Sequence, residues 1–219
     1  MKNNTKKLYI GLLLVAIFVL WTALVVCVDV RAIGPEGSSV GFAALNGAFH
    51  KLTGVHMGLY KLTDWLGIVP FVFVFGFALL GLVQLIRRRS LLKVDASLLV
   101  LGAYYIVVAI VYILFEFVVI NRRPVLIEGV LEPSYPSSTT MLVLCVVPTA
   151  MMQLRGRIKN DTARLVILAL LGLFAAFMVI GRLISGVHWL SDIIGGALVS
   201  AGLVKLYSWA VGLTKKKKK

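Results

Sequence analysis

The chain has 219 residues, of which 60% are hydrophobic, and its mean hydropathy is +0.97. Soluble domains contain about 45 to 50% apolar residues, so this composition excludes a soluble globular protein and indicates an integral membrane protein. The formal net charge is +14, but the basic residues cluster beside apolar runs and match no nucleic-acid-binding module. We therefore expect no nucleic acid partner.

Six apolar runs divide the chain, and each can be compared with the roughly 20 residues that cross the hydrocarbon core of a bilayer. They cover residues 8–28, 66–86, 96–120, 137–154, 165–181 and 187–213. The first run is longer than the roughly 7 to 15 apolar residues of a signal peptide, so we interpret it as a retained span. The sequence predicts an all-α, polytopic membrane protein, with residues 1–219 forming one domain, a six-transmembrane-helix bundle.

Basic clusters occupy alternate connections between these runs. They comprise Lys2, Lys6 and Lys7; Arg87, Arg88, Arg89 and Lys93; Arg155, Arg157, Lys159 and Arg164; and Lys215–Lys219. The positive-inside rule assigns all four clusters to the cytoplasm. Both termini are then cytoplasmic, and the connections 29–65, 121–136 and 182–187 face outward.

The first outward connection has apolar residues at helical spacing. They are Phe42, Leu45, Phe49 and Leu52. This pattern predicts one outward interfacial helix, which either lines a lipid entry or packs over the bundle. His50 and His56 lie in the same connection without the spacing of metal ligands, so we expect no metal site.

The stretch from Gly181 to Asp192 contains the best candidates for chemistry. A short loop is expected to separate two helices, which puts His188 and Asp192 four residues apart on one face of the second helix. The carboxylate would orient the imidazole and leave its other nitrogen free as a nucleophile or base. Arg182 would supply a cation for an anionic substrate. The alternative for all three residues is interfacial anchoring.

Two further polar motifs face outward. The third run carries Glu116, and Arg122 and Arg123 precede Pro124, which we expect to end that helix. The segment from Pro136 to Thr140 precedes the fourth run, where Ser and Thr cap a helix and free amides form an anion site. Arginines, open amides and a carboxylate-oriented histidine on one membrane face predict a phosphate site.

These motifs resemble those of the type 2 phosphatidic acid phosphatase (PAP2) superfamily, whose pattern is Lys-x6-Arg-Pro, Pro-Ser-Gly-His and Ser-Arg-x5-His-x3-Asp. The third motif matches at Arg182, His188 and Asp192, with Gly181 in place of Ser. The first motif keeps Arg123-Pro124 but has Glu116 instead of Lys. The second keeps Pro136-Ser137 but has Ser138-Thr139 instead of Gly-His.

The resemblance implies a plasma-membrane phosphatase that acts on a lipid phosphate or polyprenyl diphosphate at the outer face, without metal or other cofactor. His188 would attack phosphorus and form a phosphohistidine, and Asp192 would orient it. The phosphate oxygens would be held by Arg123, Arg182 and the amides near Ser137, Ser138 and Thr139. Membrane lipids are the other expected partners, and the sequence does not indicate an oligomeric state.

The departures from the motifs affect two roles. Glu116 removes a phosphate-binding cation, for which Arg122 could compensate, and Thr139 removes the usual general acid. A diphosphate substrate needs that acid less than a monophosphate does, because its leaving group is itself a phosphate. One alternative is a catalytically weakened family member that binds lipid phosphate or a partner protein. A transporter is less favoured, since transporter sites lie near the midplane.

Overall fold

The computed structural model of the chain describes the backbone of residues 2–216 and the side chains of residues 4–214. Within that range the fold consists of eight α-helices, two short 3-10 turns and no β-strand. The helices are α1 (Lys2–Cys27), α2 (Ala43–Thr53), α3 (Met57–Leu66), α4 (Ile68–Arg88), α5 (Ala96–Phe117), α6 (Ser138–Arg155), α7 (Asp161–Ile184) and α8 (Leu190–Lys216). The all-α prediction is confirmed.

Five stretches of the described residues are long and apolar enough to cross a membrane. They are Asn4–Cys27, Met57–Arg88, Ala96–Phe117, Asp161–Ile184 and Leu190–Thr214. The chain is therefore a helical membrane protein. The remaining predicted span, 137–154, corresponds to α6, which packs against α4, α5, α7 and α8 and has nine buried residues among 18. The count of six spans stays a prediction.

The first connection contains more helix than the sequence predicted. A helix forms where the interfacial one was predicted, as α2, and the amide of Asn46 on its buried face donates to Ser191 Oγ at 2.9 Å. Helix α3 was not predicted, and it is separated from α4 only by Gly67. The outward position of α2 stays a prediction, and the part of the Lys215–Lys219 run from 217 onward lies outside the described residues.

The prediction that Pro124 ends the third helix is wrong, because α5 ends at Phe117. Beyond it, backbone groups bond to one another across a loop instead of continuing the helix. Ser134 N donates to Asn121 O at 2.9 Å, and Arg123 N donates to Glu132 O at 3.0 Å. These bonds satisfy backbone groups of a partly buried, non-helical segment.

The prediction that His188 and Asp192 share one face of a helix is also wrong. Helix α8 begins at Leu190, so His188 lies in the loop before it. The Asp192 carboxylate in the first turn accepts from Trp189 N at 2.9 Å, which satisfies a backbone donor that has no helical partner. The two residues are close because the loop folds back over the start of the helix.

Helix α8 packs closely along α1. A Cβ atom at Gly11 would lie 2.7 Å from Leu206 Cδ2, and one at Gly202 would lie 2.9 Å from Val15 Cγ2. Glycines at both positions therefore let the two helices approach closely, as small residues do in membrane bundles.

Candidate functional site

A cavity of about 770 Å³ opens at one end of the bundle. It lies where α3, α5 and α7 end and where α4 and α6 begin. Its polar lining consists of Tyr60, Asp64, Tyr112, Glu116, Arg123, Glu132, Ser138, Thr139 and Arg182. Motifs that are separated along the chain therefore meet around one space.

Arg182 near the end of α7 is almost fully buried, at 2% exposure. Its Nη2 donates to Asp64 Oδ1 at 2.7 Å and to Thr139 Oγ1 at 2.6 Å. Its Cζ lies 4.8 Å from the centre of the Tyr60 ring. Among the described residues, its Nε has no hydrogen-bond partner. The guanidinium is thus fixed on three sides and keeps one donor free.

Arg123 occupies the same cavity from the loop after α5, and its Cζ lies 5.7 Å from the Tyr60 ring centre. Its Nε is 2.9 Å from Glu132 Oε2, so the two groups form an ion pair. The N–H does not point at the carboxylate well enough for a hydrogen bond. Within the described part of the chain, Arg123 Nε and Nη1 have no hydrogen-bond partner. Both arginines therefore contact one tyrosine and line one cavity, and each has buried donor nitrogens without a partner among the described residues.

The start of α6 contributes Ser138 and Thr139 to the cavity lining. Backbone amides in the first turn of a helix have no intrahelical acceptor, and such a turn favours anions. Ser137 lies behind this surface and does not line the cavity. Its amide donates to Asp192 O at 3.0 Å, so the structure does not bring Ser137 to a phosphate position.

His188 lies in a small recess of about 20 Å³ beside the main cavity. The recess and the cavity share four lining residues: Tyr112, Glu116, Pro133 and Ser138. The imidazole is 3% exposed, and neither ring nitrogen has a hydrogen-bond partner among the described residues. The shared residues make a common wall between the histidine and the space that the arginines line.

The ring of His188 faces the carboxylate of Asp192, with Nδ1 at 3.7 Å from Oδ2. This distance is longer than a hydrogen bond. Burial lowers the pKa of His188 to about 4; Asp192 opposes the shift, while Arg123 and Arg182 add to it. The imidazole is therefore neutral near pH 7, which is the form that can act as a nucleophile.

Asp192 is held by a buried network that the sequence did not indicate. Its Oδ1 accepts from Asn121 Nδ2 at 3.1 Å, while its Oδ2 accepts from Trp189 N at 2.9 Å. Asn121 Nδ2 also lies 3.3 Å from Ser191 Oγ. The carboxylate is thus fixed in orientation on the side of His188.

The loop that carries His188 is anchored by one residue of α2 and one residue after it. His56 N donates to Ser185 O at 2.9 Å, and His50 Nε2 lies 3.1 Å from Gly186 O. Gly186 has a φ of +69°, and a Cβ atom there would lie 1.9 Å from Gly54 O. The backbone of His56 and the ring of His50 therefore hold the loop, and neither residue lines the cavity or the recess.

Two predicted modulators are placed differently by the structure. Glu116 lines both the cavity and the recess. Arg122 does not line either; it is exposed, and its Nη1 donates to Leu131 O at 2.9 Å. Arg122 therefore does not provide the cation that Glu116 removes from the first motif.

Tyr60 and Asp64 on α3 complete the cavity and were missed because their connection was interpreted as having only one helix. Their spacing of four residues along Leu59–Leu66 was the available signal for a common helical face. Across residues 4–214, no group of three or more His, Cys, Asp or Glu side chains is arranged to hold a metal ion.

Comparisons with known proteins agree with the motifs. Residues 71–215 match the family model of the PAP2 superfamily. The crystal structure of the first transmembrane PAP2 type phosphatidylglycerolphosphate phosphatase from Bacillus subtilis has a TM-score of 0.59 and 19% sequence identity to this chain. The match covers 94% of this chain and 96% of that chain, and it shows a common fold. No curated protein matches in sequence. Because the family model covers more than half of the chain, the protein belongs to the PAP2 superfamily.

Proposed function

We propose that the protein is a membrane phosphatase that hydrolyses a lipid phosphate or polyprenyl diphosphate through a phosphohistidine on His188. One observation carries this proposal. Arg123 and Arg182 line a cavity that shares four lining residues with the recess of the neutral, buried His188. Membership of the PAP2 superfamily supports the same reaction class.

The first step is attack of the His188 Nε2 lone pair on the phosphorus atom. Nδ1 faces Asp192, so Nε2 is the nitrogen directed away from the carboxylate. A nitrogen–phosphorus bond forms, the bond to the leaving oxygen breaks, and its electron pair stays on that oxygen. Asp192 stabilises the positive charge that develops on the ring.

The free donors of the cavity would hold the three equatorial oxygens. Arg123 Nη1 and Arg182 Nε have no partner among the described residues, and the amides of Ser138 and Thr139 belong to the first turn of α6. Such prearranged donors act on the charge of the phosphoryl group in the transition state.

In the second step, water attacks the phosphorus of the phosphohistidine. The nitrogen–phosphorus bond breaks, its electron pair returns to His188, and inorganic phosphate leaves. The histidine is then neutral again, so the cycle needs no further reactant.

A lipid substrate is favoured by the apolar side of the same cavity. It is lined by Trp65, Ile68 and Phe71, which are 80%, 62% and 45% exposed. These side chains lie at the junction of α3 and α4, in the same cavity as the charged residues. An acyl or polyprenyl chain can lie along them while its phosphate reaches the arginines.

We place this reaction at the outer face of the plasma membrane, with six spans and both termini cytoplasmic. The basic clusters that join α4 to α5 and α6 to α7 support this orientation, because they lie at the end of the bundle opposite to the cavity. Helix α6 would be the span that is shielded from lipid by its neighbours.

Phosphate release from lipid monophosphate and lipid diphosphate in vesicles tests the proposal. We expect turnover by the full-length protein and loss of at least about 10³-fold in His188→Ala, since removing a nucleophile leaves only binding and charge stabilisation. His56→Ala is the matched control, because His56 does not line the cavity. Equal turnover by wild type and His188→Ala would contradict the proposal.

A second candidate is a weakened family member that binds a lipid phosphate without hydrolysing it. It is favoured by the three carboxylates of the cavity, Asp64, Glu116 and Glu132, which outnumber its two arginines. Binding of a lipid phosphate that is equal in wild type and His188→Ala, with no phosphate release by either, would establish this candidate.

A further inference from the structure

We propose that Glu116 is the general acid of the reaction, donating a proton to the leaving oxygen in the first step and recovering it from water in the second. This inference rests on the phosphatase function proposed above. It assigns the proton-donating role for which the second sequence motif has no histidine.

Glu116 differs from the other carboxylates of the cavity in its partners. Asp64 is paired with Arg182 at 2.7 Å, and Glu132 is paired with Arg123 at 2.9 Å. Among the described residues, Glu116 forms no ion pair with an arginine or lysine; its neighbour is the hydroxyl of Tyr112. Protonation of Asp64 or Glu132 would break an ion pair with an arginine, whereas Glu116 has no salt bridge to lose.

Its location is also distinct. Glu116 lines both the main cavity and the recess of His188, whereas Asp64 and Glu132 line only the main cavity. A phosphorus atom attacked by His188 and held by the arginines must lie between these two spaces. The leaving oxygen then lies on the cavity side, within the part of the wall that Glu116 forms.

The other candidate acids at this wall are less suitable. The Tyr135 hydroxyl is 2.7 Å from Thr22 Oγ1 and lines only the recess. Thr139 Oγ1 accepts a hydrogen bond from Arg182 and is a poor proton donor. The Tyr112 hydroxyl borders both spaces, and its contact with Glu116 makes it an orienting neighbour for the carboxyl group.

The charge of a bound phosphate group favours the uptake of a proton by Glu116 from the solvent. A phosphate group and a carboxylate in contact repel each other, so the complex is most stable with one proton shared by the pair. If Glu116 is protonated, the charges of the cavity lining also balance, because the two arginines Arg123 and Arg182 offset the two carboxylates Asp64 and Glu132.

The proton balance closes over the two steps. As the phosphorus–oxygen bond breaks, the leaving oxygen takes the proton of Glu116 and departs as an alcohol. The resulting carboxylate accepts a proton from the water that attacks the phosphohistidine. Inorganic phosphate leaves, and Glu116 is protonated for the next cycle.

The test compares two substrates with the same lipid chain, a monophosphate and a diphosphate, using full-length protein in vesicles. The monophosphate must expel an alcohol oxygen, whereas the diphosphate expels a phosphate whose second pKa is about 6. We expect Glu116→Gln to lower kcat/KM for the monophosphate by about 10² to 10⁴-fold, the usual value of a general acid. The diphosphate should lose less than about tenfold.

Three variants make the result specific. Glu116→Asp keeps the acid and should recover part of the monophosphate activity. Glu132→Gln removes a paired carboxylate from the same cavity and should affect both substrates to the same degree. Glu128→Gln alters an exposed acidic residue of the same loop and should change neither.

An equal loss on the two substrates in Glu116→Gln, or wild-type activity on both, would overturn the general-acid role while leaving the phosphatase function intact. Turnover by His188→Ala equal to that of wild type would instead overturn the phosphatase proposal. Phosphohistidine formation measured in a single turnover would show the same dependence on the leaving group if Glu116 acts in the first step.

Discussion

Arg182 Nη2 donates to Thr139 Oγ1 at 2.6 Å, a hydrogen bond that joins the end of α7 to the start of α6. The same nitrogen donates to Asp64 on α3. Residues of three helices therefore fix one guanidinium beside the first turn of α6. In the proposed reaction, this arrangement places the cation before the substrate arrives and so avoids reorganisation during the reaction.

Replacing this arginine by lysine should be costly. Lysine keeps the charge but has no planar fork to contact Asp64, Thr139 and the Tyr60 ring together. We expect Arg182→Lys to lower kcat/KM for phosphate release by about 10² to 10³-fold. Arg164→Lys, near the other end of α7, is the control and should remain within about twofold of wild type. An active Arg182→Lys variant would show that the fork is dispensable.

The protonation state of His188 can be observed directly. Burial lowers its pKa to about 4, compared with 6.5 for an exposed histidine. Resonances of ¹⁵N-histidine, with His188 assigned by its loss in His188→Asn, should show a neutral ring from pH 8 down to about pH 5. Titration of His188 near 6.5 would contradict the buried, neutral nucleophile.

The same pKa shift has a consequence for stability. The folded pKa is below the unfolded one, so between about pH 6.5 and pH 4 the unfolded chain binds the proton more readily. Because of His188, the free energy of unfolding should therefore decrease as the pH falls through this window, and the decrease should be complete below about pH 4. Thermal unfolding of wild type and His188→Asn over this range measures the difference.

The loop before α8 should be sensitive at Gly186. Its φ is +69°, and an added Cβ atom would lie 1.9 Å from Gly54 O, so there is no room for a side chain. We expect Gly186→Ala to destabilise the protein by about 1 to 3 kcal/mol or more and to displace His188, with loss of activity. Gly172→Ala is the control, because a Cβ there meets no atom within 4 Å. Equal stability of the two variants would contradict the tight anchoring of the loop.

The proposed orientation can be tested with single cysteines after Cys27→Ser. Val130→Cys lies in the loop after α5 and Lys159→Cys in the connection between α6 and α7, and both positions are exposed. In intact cells, an impermeant thiol reagent should label only the first. Labelling of Lys159→Cys alone would reverse the orientation. Cys145 is buried and should not react.

The apolar runs predicted most of the fold because each run is long and continuous. Five of the six runs meet the length and apolarity that a membrane span needs. Helix α6 is different because half of its residues pack inside the bundle and several of them are polar, including Thr149 and Gln153. Apolarity alone therefore could not secure its assignment as a span.

The candidate site could be predicted only where the side chains belong to a local motif. Arg182, His188 and Asp192 lie within 11 residues, but their geometry depends on the loop bonds of Trp189 and Gly186. Residues that meet across a long separation in the chain leave no recognisable pattern in the sequence. Asn121 reaches Asp192 across 71 positions, and Asp64 reaches Arg182 across 118. Arg122 and Arg123 are adjacent in sequence, and only the loop backbone decides which of them enters the cavity.

The most direct test of the central claim is to trap the phosphoenzyme. Full-length protein is mixed with a lipid phosphate labelled on phosphorus, quenched in alkali within a single turnover, and digested for mass spectrometry. We expect a phosphorylated histidine in the peptide that contains His188, absent from His188→Ala and present in His56→Ala. Turnover of the lipid without phosphate on His188 at any quench time would contradict the account.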